Sequence, residues 1–254
     1  MIRAGGKALE AVLYRQPPST AFSSGTIVFL HEALGSVSHW RDFPAELGSR
    51  SGWDLLLYSR AGHGNSEGPP ADRTAEYYTS EVEIVLPAIL QYFQVERPAF
   101  FAHSEGTVLA MLYAAAHPRS VRGLMLEAPF VTHEPSNVGG MEKALVAWST
   151  TDFRERLSRH HLDPDAVFAA WINMRDTMPD DTRNLTGRLG SITCPLLAFL
   201  GENDEFVSTL QTEKLKDLLP QSEVVVIPDC GHTPHRERPE LVLARCAAFL
   251  AILP

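Results

Sequence analysis

The sequence of 254 residues has few cysteines, no long apolar run and fewer basic than acidic residues. Its three cysteines, Cys194, Cys230 and Cys246, form no Cys-x-x-Cys pair, and their odd number predicts reduced, buried thiols. No apolar run approaches the roughly 18 residues that cross a bilayer, and residues 1–7 lack the features of a secretory signal. These absences predict a cytoplasmic protein without an integral membrane segment.

Basic residues are less frequent than acidic ones. The 22 lysines and arginines are outnumbered by 31 aspartates and glutamates, which gives a net charge of −9. An acidic chain repels a phosphate backbone, so a nucleic acid is not an expected partner. Hydrophobic residues make up 44% and charged residues 21%, a composition that is typical of a folded globular domain and excludes a disordered or collagen-like chain.

Short β-rich runs alternate with longer helix-like stretches along most of the chain. The runs lie at residues 26–30, 54–58, 99–102, 123–126, 195–200 and 223–227. They are apolar on both faces, as strands buried inside a parallel sheet must be. The clearest helical stretches are residues 77–93, 107–116 and 239–250. This alternation predicts an α/β fold with a mostly parallel sheet flanked by helices, and residues 7–14 are expected to add an edge strand.

One long stretch interrupts the alternation because it contains no β-rich run. Its helix-like pieces lie around residues 141–150, 152–160 and 163–174. We therefore predict a sheet core built from residues 1–130 and 191–254, with a helical cap, residues 131–190, inserted between two sheet strands.

A serine lies at the turn between a predicted strand and a predicted helix, in the segment Ala102-His103-Ser104-Glu105-Gly106. A small residue two positions before Ser104 and a glycine two positions after it allow a sharp turn, which lifts the hydroxyl above the sheet. The following helix directs its positive end at any oxyanion formed there. The pattern predicts a nucleophilic serine.

A serine nucleophile needs a base, and the base needs an acid that orients it. His232 follows the apolar run at 223–227 and Asp204 follows the run at 195–200, so both are expected at the carboxyl edge of the sheet. We assign His232 as the base and Asp204 as the acid. The rivals are His235, which is expected to face solvent, and the acids Glu127, Glu202 and Glu205.

Acyl transfer also needs N–H donors for the tetrahedral oxyanion. The backbone N–H of Glu105, directly after the serine, is one such donor. The turn after Leu30 is expected to supply the second, and position favours the N–H of Ala33.

Five segments together resemble motifs of the α/β-hydrolase superfamily, in the same order. They are the oxyanion turn at 31–35, the loop at 59–66, the elbow at 102–106, the acid segment at 201–204 and the base segment at 231–232. The resemblance implies an α/β-hydrolase fold and a serine hydrolase that forms an acyl-enzyme without a metal or an organic cofactor. It also implies a small, partly hydrophobic ester-like molecule as the partner.

Three residues depart from the family pattern. Ala102 replaces the first glycine of the elbow, Ser59 replaces an aspartate, and Glu32 replaces a glycine beside the oxyanion hole. Alanine is small enough to keep the turn, and Ser59 is expected to change only local hydrogen bonds. Glu32 and Glu105 place two acids near one pocket mouth, which disfavours strongly anionic substrates unless an acid is protonated or paired with an arginine.

We expect the helical insertion to select the substrate. The candidate pocket residues are Glu32, Trp40, Phe130, Trp148, Trp171 and Met174. An ester is the leading substrate class, and a lactone or a thioester fits the same residues. Two alternatives stay open: hydrolysis of a carbon–carbon bond by the same triad, and a ligand receptor that turns over slowly.

Overall fold

A seven-stranded sheet forms the centre of the protein in this computed structural model, which describes residues 1–17, 25–132, 135–177 and 187–254. In order across the sheet, the strands are β3 (Ala11–Tyr14), β5 (Asp54–Tyr58), β4 (Thr26–Leu30), β6 (Ala99–His103), β7 (Gly123–Glu127), β8 (Leu196–Gly201) and β9 (Ser222–Ile227). Neighbours are parallel except for β3 and β5. A separate antiparallel pair consists of β1 (Ile2–Ala4) and β2 (Lys7–Leu9). The predicted parallel sheet is confirmed, and the predicted strand at 7–14 is divided between β2 and β3.

Helices connect the strands and cover both faces of the sheet. They are α1 (Phe43–Ser51), α2 (Ala75–Ser80), α3 (Leu86–Phe93), α4 (Glu105–Ala116), α5 (Pro135–Thr150), α6 (Phe153–Ser158), α7 (Pro164–Thr177), α8 (Leu210–Leu218), α9 (Pro234–Glu237) and α10 (Pro239–Ala251). The single helix predicted at 77–93 is wrong, because a π-helical turn, Glu81–Val85, separates α2 from α3. The break adjoins Pro87, which has no N–H to donate and whose ring displaces the carbonyl four residues earlier.

Buried side chains fill the space on both sides of the sheet. Along β4, Val28 and Leu30 belong to the cluster that includes α3 and α4, whereas Ile27 and Phe29 belong to the cluster that includes α1 and α10. Each apolar Å² removed from water contributes about 25 cal/mol, so strands that are apolar on both faces belong in the middle of such a sheet. Because β6, β8 and β9 run parallel, the loops after them meet at one edge.

Helices α5, α6 and α7 lie in the chain between β7 and β8, in the stretch for which the sequence predicts helices. They share an apolar cluster with Ala33 from the sheet side. Its other buried members are Met141, Leu157, Phe168 and Trp171. The cluster attaches the helical segment above the carboxyl edge of the sheet. The exact domain boundaries stay a prediction.

The three cysteines are buried and free, as the sequence predicts. Within the described parts of the chain, no helix combines the length and the apolar character needed to cross a membrane. The cytoplasmic location inferred from the sequence stays a prediction.

Candidate active site

Ser104 lies in a strained turn between β6 and α4. Its backbone has φ 51° and ψ −117°, a conformation that a non-glycine residue rarely adopts. The Ser104 N–H donates to the carbonyl of Glu127 at 2.9 Å, and its carbonyl accepts from the N–H of Thr107 at 2.9 Å. A Cβ atom at Gly106 would lie 2.1 Å from the carbonyl oxygen of Leu30, so only glycine lets α4 approach β4 this closely. The turn has the form of a nucleophile elbow.

His232 and Asp204 are held together at the same edge of the sheet. The Nδ1 atom of His232 lies 2.8 Å from Oδ2 and 2.9 Å from Oδ1 of Asp204. Asp204 also accepts backbone N–H groups from Phe206 at 2.8 Å and Val207 at 3.0 Å. An ionised carboxylate only accepts, so Nδ1 carries the proton and Nε2 is left as the basic atom.

The two groups shift each other's pKa values in opposite directions. Burial opposes ionisation of Asp204, but the hydrogen bond and charge of His232 outweigh it and lower the pKa of Asp204. Burial likewise opposes protonation of His232, but Asp204 and, at longer range, Glu32 raise the pKa of His232. Stabilisation of the imidazolium is the property that a general base in acyl transfer requires.

Two of the rival residues, His235 and Glu127, bind each other. His235 is buried rather than exposed to solvent, and its Nδ1 lies 2.5 Å from Oε2 of Glu127. The expected exposure is wrong because α9 turns the ring inward, where it packs beside Trp40 and Phe43. Since Glu127 binds His235, it is not the acid that orients His232.

A buried cluster beneath His232 consists of His103, Glu127 and His235, whose ligand-type atoms all lie within 4.8 Å of one another. Burial lowers the pKa of His103 to about 4, so its ring is neutral near pH 7. His103 Nε2 donates to the carbonyl of His232 at 2.8 Å. His103 Nε2 and His235 Nδ1 are both engaged in hydrogen bonds, and the contact of His103 with the carbonyl of His232 supports the His232 loop.

The predicted oxyanion turn follows β4. The carbonyl of Glu32 accepts from the Nδ1 of His31 at 2.7 Å and from the N–H of Gly35 at 3.0 Å. Within the described residues, the N–H groups of Ala33 and Glu105 donate to no hydrogen bond. Ala33 lines the same cavity as Ser104. The N–H of Ala33 is therefore open to a ligand in the cavity, and the role of both N–H groups as oxyanion donors stays a prediction.

A cavity of about 640 Å³ lies between the sheet edge and the helical segment α5–α7. Ser104 and His232 both line it. Among the predicted pocket residues, the lining includes Glu32, Phe130, Trp171 and Met174. A volume of this size holds a small organic molecule.

Two predicted pocket residues lie elsewhere. Trp40 is buried in the core, with its ring 5.3 Å from that of Phe29 and 5.6 Å from that of Phe101. Trp148 stacks on Phe168 at 3.9 Å inside the helical segment. Neither residue lines the cavity. Helical and strand spacing identify an apolar face, but they do not distinguish a core contact from a cavity wall.

Glu32 contributes an ionised carboxylate to the cavity. Burial opposes its ionisation, but the charge of Arg236 and the charges that His103 and His39 carry at low pH outweigh burial and lower its pKa to about 2. His39 stacks on His160 at 3.9 Å beside it. Burial holds the pKa of His39 at about 3, so that ring is neutral near pH 7.

The sequence profile of the alpha/beta hydrolase family matches residues 27–245, which is most of the chain. The protein belongs to the alpha/beta hydrolase family. An sn-1-specific diacylglycerol lipase of Mus musculus is 23% identical, over 89% of this chain and 80% of the relative. A 2-succinyl-6-hydroxy-2,4-cyclohexadiene-1-carboxylate synthase of Enterobacter sp. (strain 638) is 26% identical, over 89% of this chain and 92% of the relative.

Solved structures share the hydrolase fold. A carboxylesterase structure from the thaumarchaeon Nitrososphaera gargenis superposes with a TM-score of 0.74 at 19% identity, covering 96% of this chain and 94% of the other. At this identity the likeness shows the fold alone. The predicted α/β-hydrolase fold is thereby confirmed.

The sequence predictions miss two buried arginines of this hydrolase. Glu105 was expected to place its carboxylate near the pocket mouth, but that side chain is buried and does not line the cavity. Its oxygens accept from Nη2 of Arg60 at 2.8 Å and from Nε of Arg73 at 2.8 Å. Burial opposes ionisation of Glu105, but Arg73 and Arg60 outweigh it and lower its pKa to about 2.

Arg60 also joins the two predicted oxyanion donors. Its Nη1 donates to the carbonyl of His31 at 2.7 Å and its Nη2 to the carbonyl of Glu32 at 2.9 Å, while the same Nη2 binds Glu105. The turn that carries Ala33 and the elbow are therefore linked by one guanidinium. An arginine two residues after β5, whose central residues 55–57 are all leucine, was the available signal, because a buried cation requires a counter-ion. Arg73 lies in an irregular loop and carries no comparable signal.

Proposed function

We propose that this hydrolase cleaves a carboxylic ester through an acyl-enzyme on Ser104, with His232 as the base and Asp204 as the acid that orients it. The observation that carries the proposal is the shared cavity: Ser104 in an elbow conformation and His232 paired through Nδ1 with Asp204 both line it. Lactones and thioesters fit the same chemistry.

The proposed reaction has two halves. His232 Nε2 takes the proton of the Ser104 hydroxyl as its oxygen attacks the carbonyl carbon. The N–H groups of Ala33 and Glu105 stabilise the oxyanion, and the leaving alcohol departs with the proton from His232. Water then gives a proton to His232 as its oxygen attacks the acyl carbon, and His232 passes that proton to the Ser104 oxygen as the acid is released. These steps use only groups of this chain and water.

We also propose that residues 131–190 act as a cap that selects the substrate. Trp171 and Met174 of α7 line the cavity from the helical segment, and Phe130 and Glu32 line it from the sheet side. A partly apolar cavity with a few polar groups suits a partly hydrophobic ester.

The test is hydrolysis of p-nitrophenyl esters of graded chain length by the wild type and by Ser104→Ala, with Ser149→Ala as a control. Ser149 is exposed on α5 and binds only a carbonyl of its own helix. We expect turnover in the wild type and the control and a loss of at least about 10³-fold in Ser104→Ala. Equal turnover in Ser104→Ala would overturn the assignment of the nucleophile.

A fluorophosphonate probe makes a second readout, which does not depend on the choice of ester. Mass spectrometry is expected to find the adduct on Ser104 in the wild type and no adduct in Ser104→Ala. Labelling at another residue would contradict the proposal. Labelling of Ser104 without turnover of any ester or lactone would favour the carbon–carbon hydrolase or the receptor over an esterase.

A further inference from the structure

The cavity of this acidic protein is lined by an excess of cations. Among the residues that the structure describes, its lining includes Arg41, Lys143, Arg156 and Arg236, against two acids, Glu32 and Glu205. The whole chain carries a net charge of −9, so the positive groups are concentrated where a substrate enters. Clefts lined by one sign of charge raise the local concentration of oppositely charged ligands.

The four cations lie at the mouth of the cavity, because each is exposed to solvent while also lining it. They come from separate parts of the fold. Arg41 precedes α1 and Arg236 belongs to α9, whereas Lys143 and Arg156 belong to α5 and α6. Cations from both the sheet side and the helical segment therefore line the mouth. These four residues form a cationic rim.

Two of the four rim cations have no acid partner among the described residues, whereas the charge of Arg236 also acts on Glu32. Among the described residues, Arg41 and Lys143 form no ion pair, and Arg236 donates to the carbonyl of His39 at 2.6 Å. Only Arg156 binds a carboxylate, that of Asp152 one helical turn away. Cations that are not neutralised by neighbours are available to an anionic group of a ligand.

The histidines beside the rim respond to the same field. Burial and then the charges of Arg236, Arg41 and Arg159 lower the pKa of His160. Its Nδ1 lies 2.7 Å from the hydroxyl of Ser38, and its ring stacks on His39. The rings of His39 and His160 are therefore polar but neutral, and the positive charge of the rim comes from its arginines and its lysine.

The reacting end of the cavity has the opposite sign. Glu32 is ionised and close enough to His232 to raise the pKa of that base. An anionic group next to the scissile carbonyl would be repelled by Glu32, whereas one at the mouth would meet the rim. The sign of charge therefore changes along the cavity.

We propose that the substrate carries a carboxylate remote from the scissile ester, and that the cationic rim binds it. This inference rests on the proposed ester hydrolysis and names its substrate class. The expectation that two acids at the mouth disfavour anionic substrates made an exception for an acid paired with an arginine. Glu105 meets that exception, because it binds Arg60 and Arg73 and does not line the cavity.

The test compares p-nitrophenyl hemiesters of α,ω-dicarboxylic acids with neutral p-nitrophenyl fatty acid esters of matched length. We expect kcat/KM to favour the hemiester once the chain is long enough to reach from Ser104 to the mouth. Short hemiesters are expected to be poorer than their neutral counterparts because of Glu32. The preference for long hemiesters is expected to fall as NaCl is raised, since salt screens exposed charges.

The variant Arg41→Gln with Lys143→Gln removes two unpaired rim cations. We expect it to lower the ratio of hemiester to neutral-ester kcat/KM about tenfold, mainly through KM. The control is Arg50→Gln with Arg245→Gln, which removes two exposed arginines paired with Glu240 and Glu223 outside the cavity. The control is expected to keep the ratio within about twofold.

Two results would overturn the inference: a neutral ester preferred at every chain length, or a control that lowers the ratio as much as the rim variant. Calorimetry of the unlabelled dicarboxylic acid monoethyl esters on Ser104→Ala separates this failure from that of the proposed function. Binding that depends on Arg41 and Lys143 without ester turnover would retain the rim and reject the esterase. Ester turnover without any preference for hemiesters would retain the esterase and reject the rim as a carboxylate site.

Discussion

The regions below and above Ser104 are built in different ways. Below it, Arg60, Arg73 and Glu105 form a fully buried network that joins the oxyanion turn to the elbow. Above it, exposed cations and apolar side chains of α5–α7 line an open cavity. The difference shows that groups which must keep a fixed geometry are held by buried, directional bonds. Groups that we propose to meet a substrate are left partly solvated.

The free energy lost when one interaction is removed also differs between the two regions. A buried ion that loses one partner costs several kcal/mol, because an unpaired charge cannot be solvated. An exposed cation at the mouth contributes at most about 1 kcal/mol to an ion pair. Substitutions below Ser104 are therefore expected to reduce stability and kcat, and substitutions above it to change specificity.

The largest expected effect comes from Asp204→Asn, which removes the charge that orients His232. We expect kcat to fall by about 10³–10⁴-fold, with circular dichroism unchanged. Glu202→Gln, in the same loop but exposed, is expected to leave kcat unchanged. An Asp204→Asn enzyme as active as the wild type would show that another group orients the base.

The pH profile sharpens the same prediction. His232 must be neutral to accept a proton, so kcat/KM is expected to rise with pH as His232 loses its proton. Because Asp204 raises the pKa of His232, the midpoint of this rise is expected above the ordinary histidine value of 6.5. Residual activity of Asp204→Asn is expected to have its midpoint at lower pH. A midpoint that does not move would contradict the assigned pair.

An intermediate effect is expected from Glu105→Gln, which leaves Arg60 and Arg73 without their counter-ion. We expect a loss of about 3 kcal/mol in the free energy of unfolding, measured by urea titration. Glu96→Gln, at an exposed acid, is the control. A loss of less than about 0.5 kcal/mol would mean that the network does not hold the two segments together.

The pH dependence of this effect has a defined sign. The pKa of Glu105 falls from an ordinary 4.5 to about 2 on folding, so its stabilisation is present above pH 4.5 and is lost as the pH falls towards 2. The stability difference between the wild type and Glu105→Gln is therefore expected to shrink over that interval. A difference independent of pH would exclude ionised Glu105 as its source.

The smallest effect is expected above Ser104, from a matched pair of tryptophans. Trp171 lines the cavity, whereas Trp148 stacks on Phe168 without lining it. Trp171→Phe is expected to change KM by a few-fold and to shift the preference towards longer acyl chains. Trp148→Phe is expected to lower Tm by a few degrees with an unchanged chain-length profile. Equal chain-length profiles for the two variants would show that the acyl chain does not contact Trp171.

Local patterns were sufficient for much of the architecture. The two-sided apolar runs predicted the parallel strands, and the stretch without such runs coincides with α5, α6 and α7. The elbow was recognisable because small residues must flank a serine in so tight a turn. The break at Pro87 was missed, although proline is the residue that interrupts a helical ladder.

Side-chain partners were much less predictable. His235 was expected at the surface because charged residues follow it, yet it binds Glu127, more than 100 positions away in the chain. Trp40 and Trp171 were both predicted as pocket residues, but of the two only Trp171 lines the cavity. Sequence neighbours do not specify which distant group fills the space beside a ring.

By itself, the sequence determined the parallel sheet and the order of the motifs, and it suggested the groups that we propose for acyl transfer. Hydrophobic period, turn chemistry and side-chain chemistry are local properties, and they can be inferred residue by residue. Only the tertiary structure decided that Glu105 is buried against two arginines while Glu32 faces the cavity. It also decided that cations from four separate elements meet at one mouth. Burial and charge pairing depend on contacts between distant segments, which exist only after the chain has folded.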